Sequence, residues 1–256
     1  MTAPRLSLTA LPDVPEVRPG DDLAALILAG VARAGEQLCD GDVVVLAQKI
    51  VSKSEDRYVR LADVTPSARA NELAHAARKD PRVVELMLQE SHEVVRHRPD
   101  VIVVEHRLGL VLANAGIDAS NLEPAGADER VLLLPRDPDG SATAIRDRLQ
   151  KATDARLGVV INDSLGRAWR NGTVGTALGA SGLPALLDLR GKPDRHGRTL
   201  RSTEVGVADE VAAAASLLMG QADEGRPIVM VRGFPYPPGD GSARDLVRPR
   251  TLDMFR

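Results

Sequence analysis

At 256 residues the chain is long enough for a sizeable core and falls between one and two domains by length alone. Its formal net charge of −3, with both signs mixed along the sequence, leaves no basic face for duplex DNA or an anionic membrane, and 2% aromatic residues leave no stacking platforms for single-stranded nucleic acid. The single cysteine, Cys39, excludes an intrachain disulfide and a cysteine-paired zinc site; with no signal-peptide core after Met1 and no apolar run of membrane length, a cytoplasmic protein free of membrane is expected.

Leu6 to Leu11 has strand character and ends at Pro12. Gly20-Asp21-Asp22 precedes Leu23, Ile27 and Val31 at helical spacing, with Asp21 or Asp22 as the N-cap. Gly41-Asp42 opens Val43 to Ala47, a continuous apolar run of the kind buried on both sides of a sheet. Gln48 and Lys49 lie at its far end, and Ser52-Lys53-Ser54-Glu55 adds polar groups close by. Thr65-Pro66 reads as a cap followed by proline at the first helical position, with a helix over Ala68 to Arg78 and a second from Asp80-Pro81 to about Val95. Val101 to Glu105 and Leu108 to Ala113 read as two strands flanking a tight turn, and Val131 to Leu134 as another.

Asp137-Pro138-Asp139 starts a helix to about Lys151, with Ile145 and Leu149 on one face. Gly158 to Asn162 is the next strand, ending at Asp163-Ser164. A glycine-rich stretch runs from Asn171 to Leu183, a short apolar run covers Ala185 to Leu189, and Arg190 to Arg198 forms a basic loop. Thr203 caps a long alanine-rich helix ending near Gly220, Pro227 to Val231 is a final strand, and the tail from Gly233 is irregular. Strands alternating with helices, together with neighbouring strand pairs, predict an α/β protein with a mixed sheet and packed helices. No linker divides the chain, so residues 1–256 are expected to form a single domain in which any two subdomains interleave.

The chemistry gathers at strand ends. Asn114-Ala115-Gly116-Ile117-Asp118-Ala119-Ser120-Asn121 brings side-chain oxygens together directly after an apolar run, either as an ordinary polar turn or as ligands for a hard cation or a phosphate. Asp118 and Asp163 could share one magnesium or manganese ion, with Ser164 and Asn121 adding neutral oxygens. Lys49, Lys53, Arg167, Arg170, Arg190 and Lys192 are candidate cations, each of which could equally be a solvated surface charge. The common nucleotide fingerprints are absent, and the alternative cradle is the stretch after Met219-Gly220, where Gln221, Asp223 and Glu224 follow a helix end. His92 and His97 lie five apart on an expected helix and would not face one metal, and Cys39 reads as a small buried hydrophobe.

In order and spacing the chain resembles the coenzyme F420-0:gamma-glutamyl ligase family over nearly its whole length. The resemblance rests on Leu11-Pro12 with Gly20-Asp21-Asp22-Leu23, Gly41-Asp42-Val43 through Ser52-Lys53, Asn114 to Asp118 with Ser120-Asn121, and Leu133-Leu134-Pro135 before Asp137-Pro138-Asp139. It continues through Asp163-Ser164, Gly166-Arg167, Trp169-Arg170, Arg190-Gly191, Asp194, Gly197-Arg198, Ala208-Asp209-Glu210 and Met219-Gly220. Ser164 stands where threonine is common and keeps the hydroxyl; Ala168 replaces a frequent proline.

The resemblance implies a gamma-glutamyl-ligase-like fold with two interleaved subdomains, a homodimer, and a GTP-dependent ligase using magnesium or manganese and potassium. Asp118, Asp163, Ser164 and Gln221 match metal-binding positions. Leu11, Pro12, Asp13, Val14, Gln48, Lys49, Lys53, Asn121 and Met219-Gly220-Gln221-Ala222-Asp223-Glu224-Gly225-Arg226 match positions that contact GTP, and Asp118, Asp163 and Arg167 are the candidate catalytic residues. The implied reaction adds L-glutamate to coenzyme F420-0, or to its oxidised precursor, through an acyl phosphate, and then extends the tail by gamma linkages. The basic loop from Arg190 to Arg198 is expected to hold the anionic substrate. The ending Asp253-Met254-Phe255-Arg256 resembles the junction that leads into a reductase domain in fused actinobacterial members, leaving both a stand-alone ligase and a longer protein open. A metal-dependent phosphotransferase or phosphohydrolase, or a non-catalytic GTP-binding module, would use the same acids and cations.

Overall fold

The computed structural model describes residues 3–118, 129–237 and 239–254, so Ser120, Asn121 and the terminal Phe255-Arg256 lie outside the described residues. In chain order the elements are β1 (Ser7–Ala10), α1 (Leu23–Arg33), β2 (Val43–Ala47), α2 (Gln48–Ser54), β3 (Tyr58–Arg60), α3 (Ala68–Ala77), α4 (Pro81–Gln89), β4 (Ser91–Arg98), β5 (Val101–His106) and β6 (Val111–Ala113). There follow β7 (Arg130–Leu132), α5 (Pro138–Thr153), β8 (Gly158–Arg167), β9 (Arg170–Ser181), β10 (Leu186–Asp188), β11 (Glu204–Gly206), α6 (Val207–Met219) and β12 (Ile228–Arg232).

A strand that is apolar at every position is stable only where both of its faces are covered, and β2 occupies that place. The main sheet has the order β1-β12-β2-β8-β9, with β2 and β8 parallel and every other pairing antiparallel. Val44, Leu46, Val159 and Ile161 pack into a core with α1, α2 and α5, while Val43, Val45 and Val160 pack into another with α6. Alternation at period 2 divides these side chains between the two faces. The result is a mixed α/β architecture, as the element pattern predicts. Among the described residues no helix is long and apolar enough to cross a membrane.

Between α2 and α5 the chain builds a second body. Its antiparallel sheet, β4-β5-β6, shares a core with α3 and α4 through Leu73, Met87, Ile102 and Val104. The pair β3-β7 closes a smaller cluster around Leu61, Leu86, Val131 and Leu133.

The structure corrects several sequence expectations. The helix expected to reach Val95 stops at Gln89, because Ser91 to Arg98 pairs antiparallel with β5, with Val94 opposite Val104. His92 and His97 therefore sit on a strand. Ser67, not Thr65, caps α3, its hydroxyl accepting from the Ala70 N–H at 3.2 Å. Thr203 does not cap α6, since Glu204–Gly206 pairs with β10 before the helix begins at Val207. Cys39 is exposed in the loop after α1 rather than buried. The strand expected to end at Asn162 runs on to Arg167, because its outer half pairs with β9.

β9 accounts for the glycine-rich stretch. A register shift beside Ile161 and Asn162 lets its glycines meet different helices. A Cβ on Gly175 would lie 2.5 Å from the Ala212 carbonyl oxygen of α6, and one on Gly179 would lie 2.3 Å from the Pro138 carbonyl oxygen of α5. Both helices are seated directly on strand backbone. Replacing Gly179 with alanine should destabilise the protein by about 2–3 kcal/mol in urea unfolding, an overpacking cost, whereas Gly166→Ala should change stability by less than about 0.5 kcal/mol. An alanine at Gly166 meets nothing within 4 Å.

Candidate active site

Parallel strands deliver their C-terminal ends to the same sheet edge, where open α/β sheets form ligand crevices. Here Ala47 of β2 is in register with Asn162 of β8, so Gln48 and Asp163 emerge side by side. The C-terminal end of α6 and the segment after it, together with residues 14–17, complete a cleft of about 610 Å³ at this edge. Asp118 joins from the inserted body, where it exchanges both backbone hydrogen bonds with Leu132, at 2.9 and 2.8 Å.

The two acids differ in their surroundings. Asp118 Oδ2 lies 2.5 Å from Lys49 Nζ on the first turn of α2. Asp163 is half-buried, and its Oδ1 accepts from the Ser164 N–H at 2.8 Å. Burial pushes the Asp163 carboxyl up to about 6, and repulsion from Asp118 acts in the same direction, against the Ser164 N–H and Lys49. Both line the cleft, with Ser164 and Gln221. Two carboxylates, a hydroxyl and a carboxamide form an all-oxygen donor set suited to a hard divalent cation. Among the described residues no group of three or more His, Cys, Asp or Glu could hold a metal, so such an ion would keep positions for water or phosphate oxygens.

Val14, Gln48, Lys49, Lys53 and Met219 to Arg226 all line this cleft. Gln48 and Lys53 are buried; the Gln48 Oε1 accepts from the Ser52 hydroxyl at 2.9 Å, and Lys53 pairs with Glu16. Gly220 terminates α6 at φ 75°, and Glu224 folds back so that its carboxylate accepts from the Ala222 N–H at 2.8 Å. These backbone contacts hold the Glu224 carboxyl below the usual range.

Other candidates lie elsewhere. Leu11 is buried against Gly30 of α1, the Pro12 and Asp13 carbonyls accept from Arg33, and none of the three lines the cleft. Arg167 is exposed near the tip of the β8-β9 hairpin, donating to the Gly172 carbonyl at 3.3 Å, and is also outside it. The basic loop lies before the N-terminal end of α6, whereas the cleft takes the other end of this 13-residue helix, roughly 20 Å along its axis. Within the loop Arg190 pairs with Asp188 at 2.7 Å and Glu204 at 3.2 Å.

Sequence reasoning missed Glu16 and Asn162. Glu16 is visible only through its pairing with Lys53, 37 residues away. Asn162 is buried, with its Nδ2 3.4 Å from Met219 Sδ and its Oδ1 without a hydrogen-bond partner. Its place directly before Asp163 at the end of an apolar run was the available signal.

Comparison with known proteins assigns the chain to a family. The family model described as F420-0:Gamma-glutamyl ligase matches residues 13–233. The chain is 48% identical to the coenzyme F420:L-glutamate ligase of Methanothermobacter thermautotrophicus, covering 98% of this chain and 99% of that protein. It is 44% identical to the enzyme of the same name from Methanopyrus kandleri, covering 99% and 98%, and 42% identical to that of Archaeoglobus fulgidus, covering 98% and 97%. A match of this extent, over a chain whose strand edge gathers the acids and lysines of one cleft, shows that the protein belongs to the F420-0:gamma-glutamyl ligase family.

Proposed function

We propose that the protein is a GTP-dependent ligase that joins L-glutamate to coenzyme F420-0, or to its oxidised precursor, and then extends the chain by gamma linkages. The observation that carries this reading is the convergence of Asp118, Asp163, Lys49 and Lys53 on one cleft at the carboxyl ends of β2 and β8. The relatives are coenzyme F420:L-glutamate ligases by name, which supports this substrate class.

The reaction has two transfers. The γ-phosphoryl group of GTP passes to a carboxylate oxygen of the acceptor, giving an acyl phosphate and GDP. The amine of glutamate then attacks the acyl carbon, phosphate leaves, and the amine gives up a proton as the amide forms. Asp118, Asp163, Ser164 and Gln221 would hold magnesium or manganese, which when bound would neutralise charge on the nucleotide phosphates. Lys49 and Lys53, on one helix at the cleft wall, supply positive charge toward the same phosphates. Potassium assistance and a homodimeric assembly belong to the same proposal.

The Asp163 carboxyl connects this function to stability. Its folded-state pKa is raised from 3.8 to about 6, so folding favours the protonated form. The associated stability is fully present below about pH 4 and is lost as pH rises through about 6. At pH 7.5 the metal-free protein therefore carries a destabilising charge. Asp163→Asn should stabilise the metal-free protein at pH 7.5 by on the order of 1–2 kcal/mol, after allowance for the open cleft, and the gain should vanish near pH 4. Thermal unfolding of both proteins at the two pH values checks this.

Incubation with coenzyme F420-0, L-glutamate, GTP and manganese should yield glutamyl additions detected by mass spectrometry. A folded, GTP-binding protein that adds none would overturn the ligase reading, and phosphate release independent of glutamate would favour a phosphohydrolase. Asp118→Asn and Asp163→Asn should each lower turnover by at least about 100-fold, as loss of electrostatic stabilisation at a reacting centre does. Near-normal turnover in either variant removes that residue from the site.

A further inference from the structure

Asp163 belongs to the main sheet and Asp118 to the inserted body, so their separation is set by whatever joins the two. The chain enters the insert after α2 and returns beyond β7, and Arg57 stands at the joint. Its N–H donates to the Ser52 carbonyl of α2 at 3.0 Å, and its carbonyl accepts from the Leu133 N–H at 3.1 Å. Its side chain is buried, with Nε donating to the Leu134 carbonyl at 2.8 Å and Nη2 to Glu90 at 3.0 Å.

Glu90 anchors this guanidinium from the end of α4. Its Oε2 also lies 2.8 Å from Arg107 Nη2 and 3.7 Å from His106 Nε2. Burial lowers the pKa of Arg57, opposed by Glu90, so the pair is an expensive way to fill this space. A buried ion pair is weak evidence for stability but does fix geometry.

Two routes run from Arg57 to the cleft. Along the returning chain, Leu133 and Leu134 hang from Arg57, and the adjoining Leu132 exchanges both backbone bonds with Asp118. Along α2, the helix bonded to Arg57 begins directly after Ala47, whose register partner Asn162 precedes Asp163; it also carries Lys49, the ion-pair partner of Asp118. We propose that Arg57, held in place by Glu90, is a positioning residue that sets the spacing of Asp118 and Asp163. This rests on the reading of the two aspartates as one metal site.

The test is a titration of the full chain with manganese alone, without nucleotide, followed by calorimetry. Arg57→Met should weaken manganese binding by about 10-fold or more, the range seen when the support of a metal ligand is lost. Added to Asp118→Asn it should produce no further loss, because the spacing of the two carboxylates no longer matters once one of them is gone. Arg107→Ala loosens Glu90 while leaving every bond of Arg57 in place, and should weaken binding by about 2- to 5-fold, a fraction of that loss. It carries the test should Arg57→Met fail to unfold cooperatively. Wild-type manganese affinity in a folded Arg57→Met or Arg107→Ala protein, with Asp118→Asn weakened, overturns the positioning role alone; so do independent, multiplying effects of Arg57→Met and Asp118→Asn. Wild-type affinity in Asp118→Asn overturns the metal reading and the positioning role together.

Discussion

The in-register parallel pairing of Val43–Ala47 with Gly158–Asn162 is the constraint on which the cleft depends. An antiparallel partner would have sent Asp163 to the opposite edge from Gln48 and Lys49. Because β12 and β9 flank the pair antiparallel, β2 and β8 are, among the described residues, the one pair of neighbouring strands in the main sheet whose carboxyl ends lie side by side. The α6 helix, packed on one face, ends at the same edge and turns at Gly220 into the segment that forms the cleft's other wall. A lysine-bearing helix, a carboxylate and a glycine-ended loop thus meet without any long structureless excursion.

The electrostatics of the cleft follow from that convergence. Bringing Asp118 toward Asp163 raises the cost of ionising the latter, and Lys49 offsets only part of it. The apo protein therefore carries a repulsive pair that a cation would relieve, a destabilised arrangement typical of sites shaped for binding rather than for stability. The buried Arg57–Glu90 pair lies at the joint between the main sheet and the inserted body, across which the two carboxylates repel each other.

Much of this was legible in the sequence, for local reasons. Continuous apolar runs marked β2 and β8, Asp22 marked the start of α1 with a side chain that accepts from the Ala24 and Ala25 N–H groups, and Pro138 marked that of α5. The residues drawn from the family resemblance largely fall on one cleft, with Leu11, Pro12, Asp13 and Arg167 as the exceptions among the described residues. β9 was illegible because its glycines serve helix backbones far away in sequence, leaving no alternating pattern to read. Ser91 to Arg98 was misread because Val94 and Val95 continue the apolar spacing of α4, and only pairing with β5 decides the matter. Glu16 and Arg57 matter through partners 37 and 33 residues away, a separation at which side-chain type alone carries no signal.

The exposed position of Cys39 makes the molecule convenient to interrogate. It lies just before the N-terminal end of β2, while the cleft lies at the other end of this five-residue strand, roughly 16 Å along its axis. As the lone thiol of the chain it offers a unique attachment point for a spin label or fluorophore, remote from the cleft yet fixed to its central strand. Distance-dependent broadening by a paramagnetic cation can therefore be read from a probe that no ligand needs to touch.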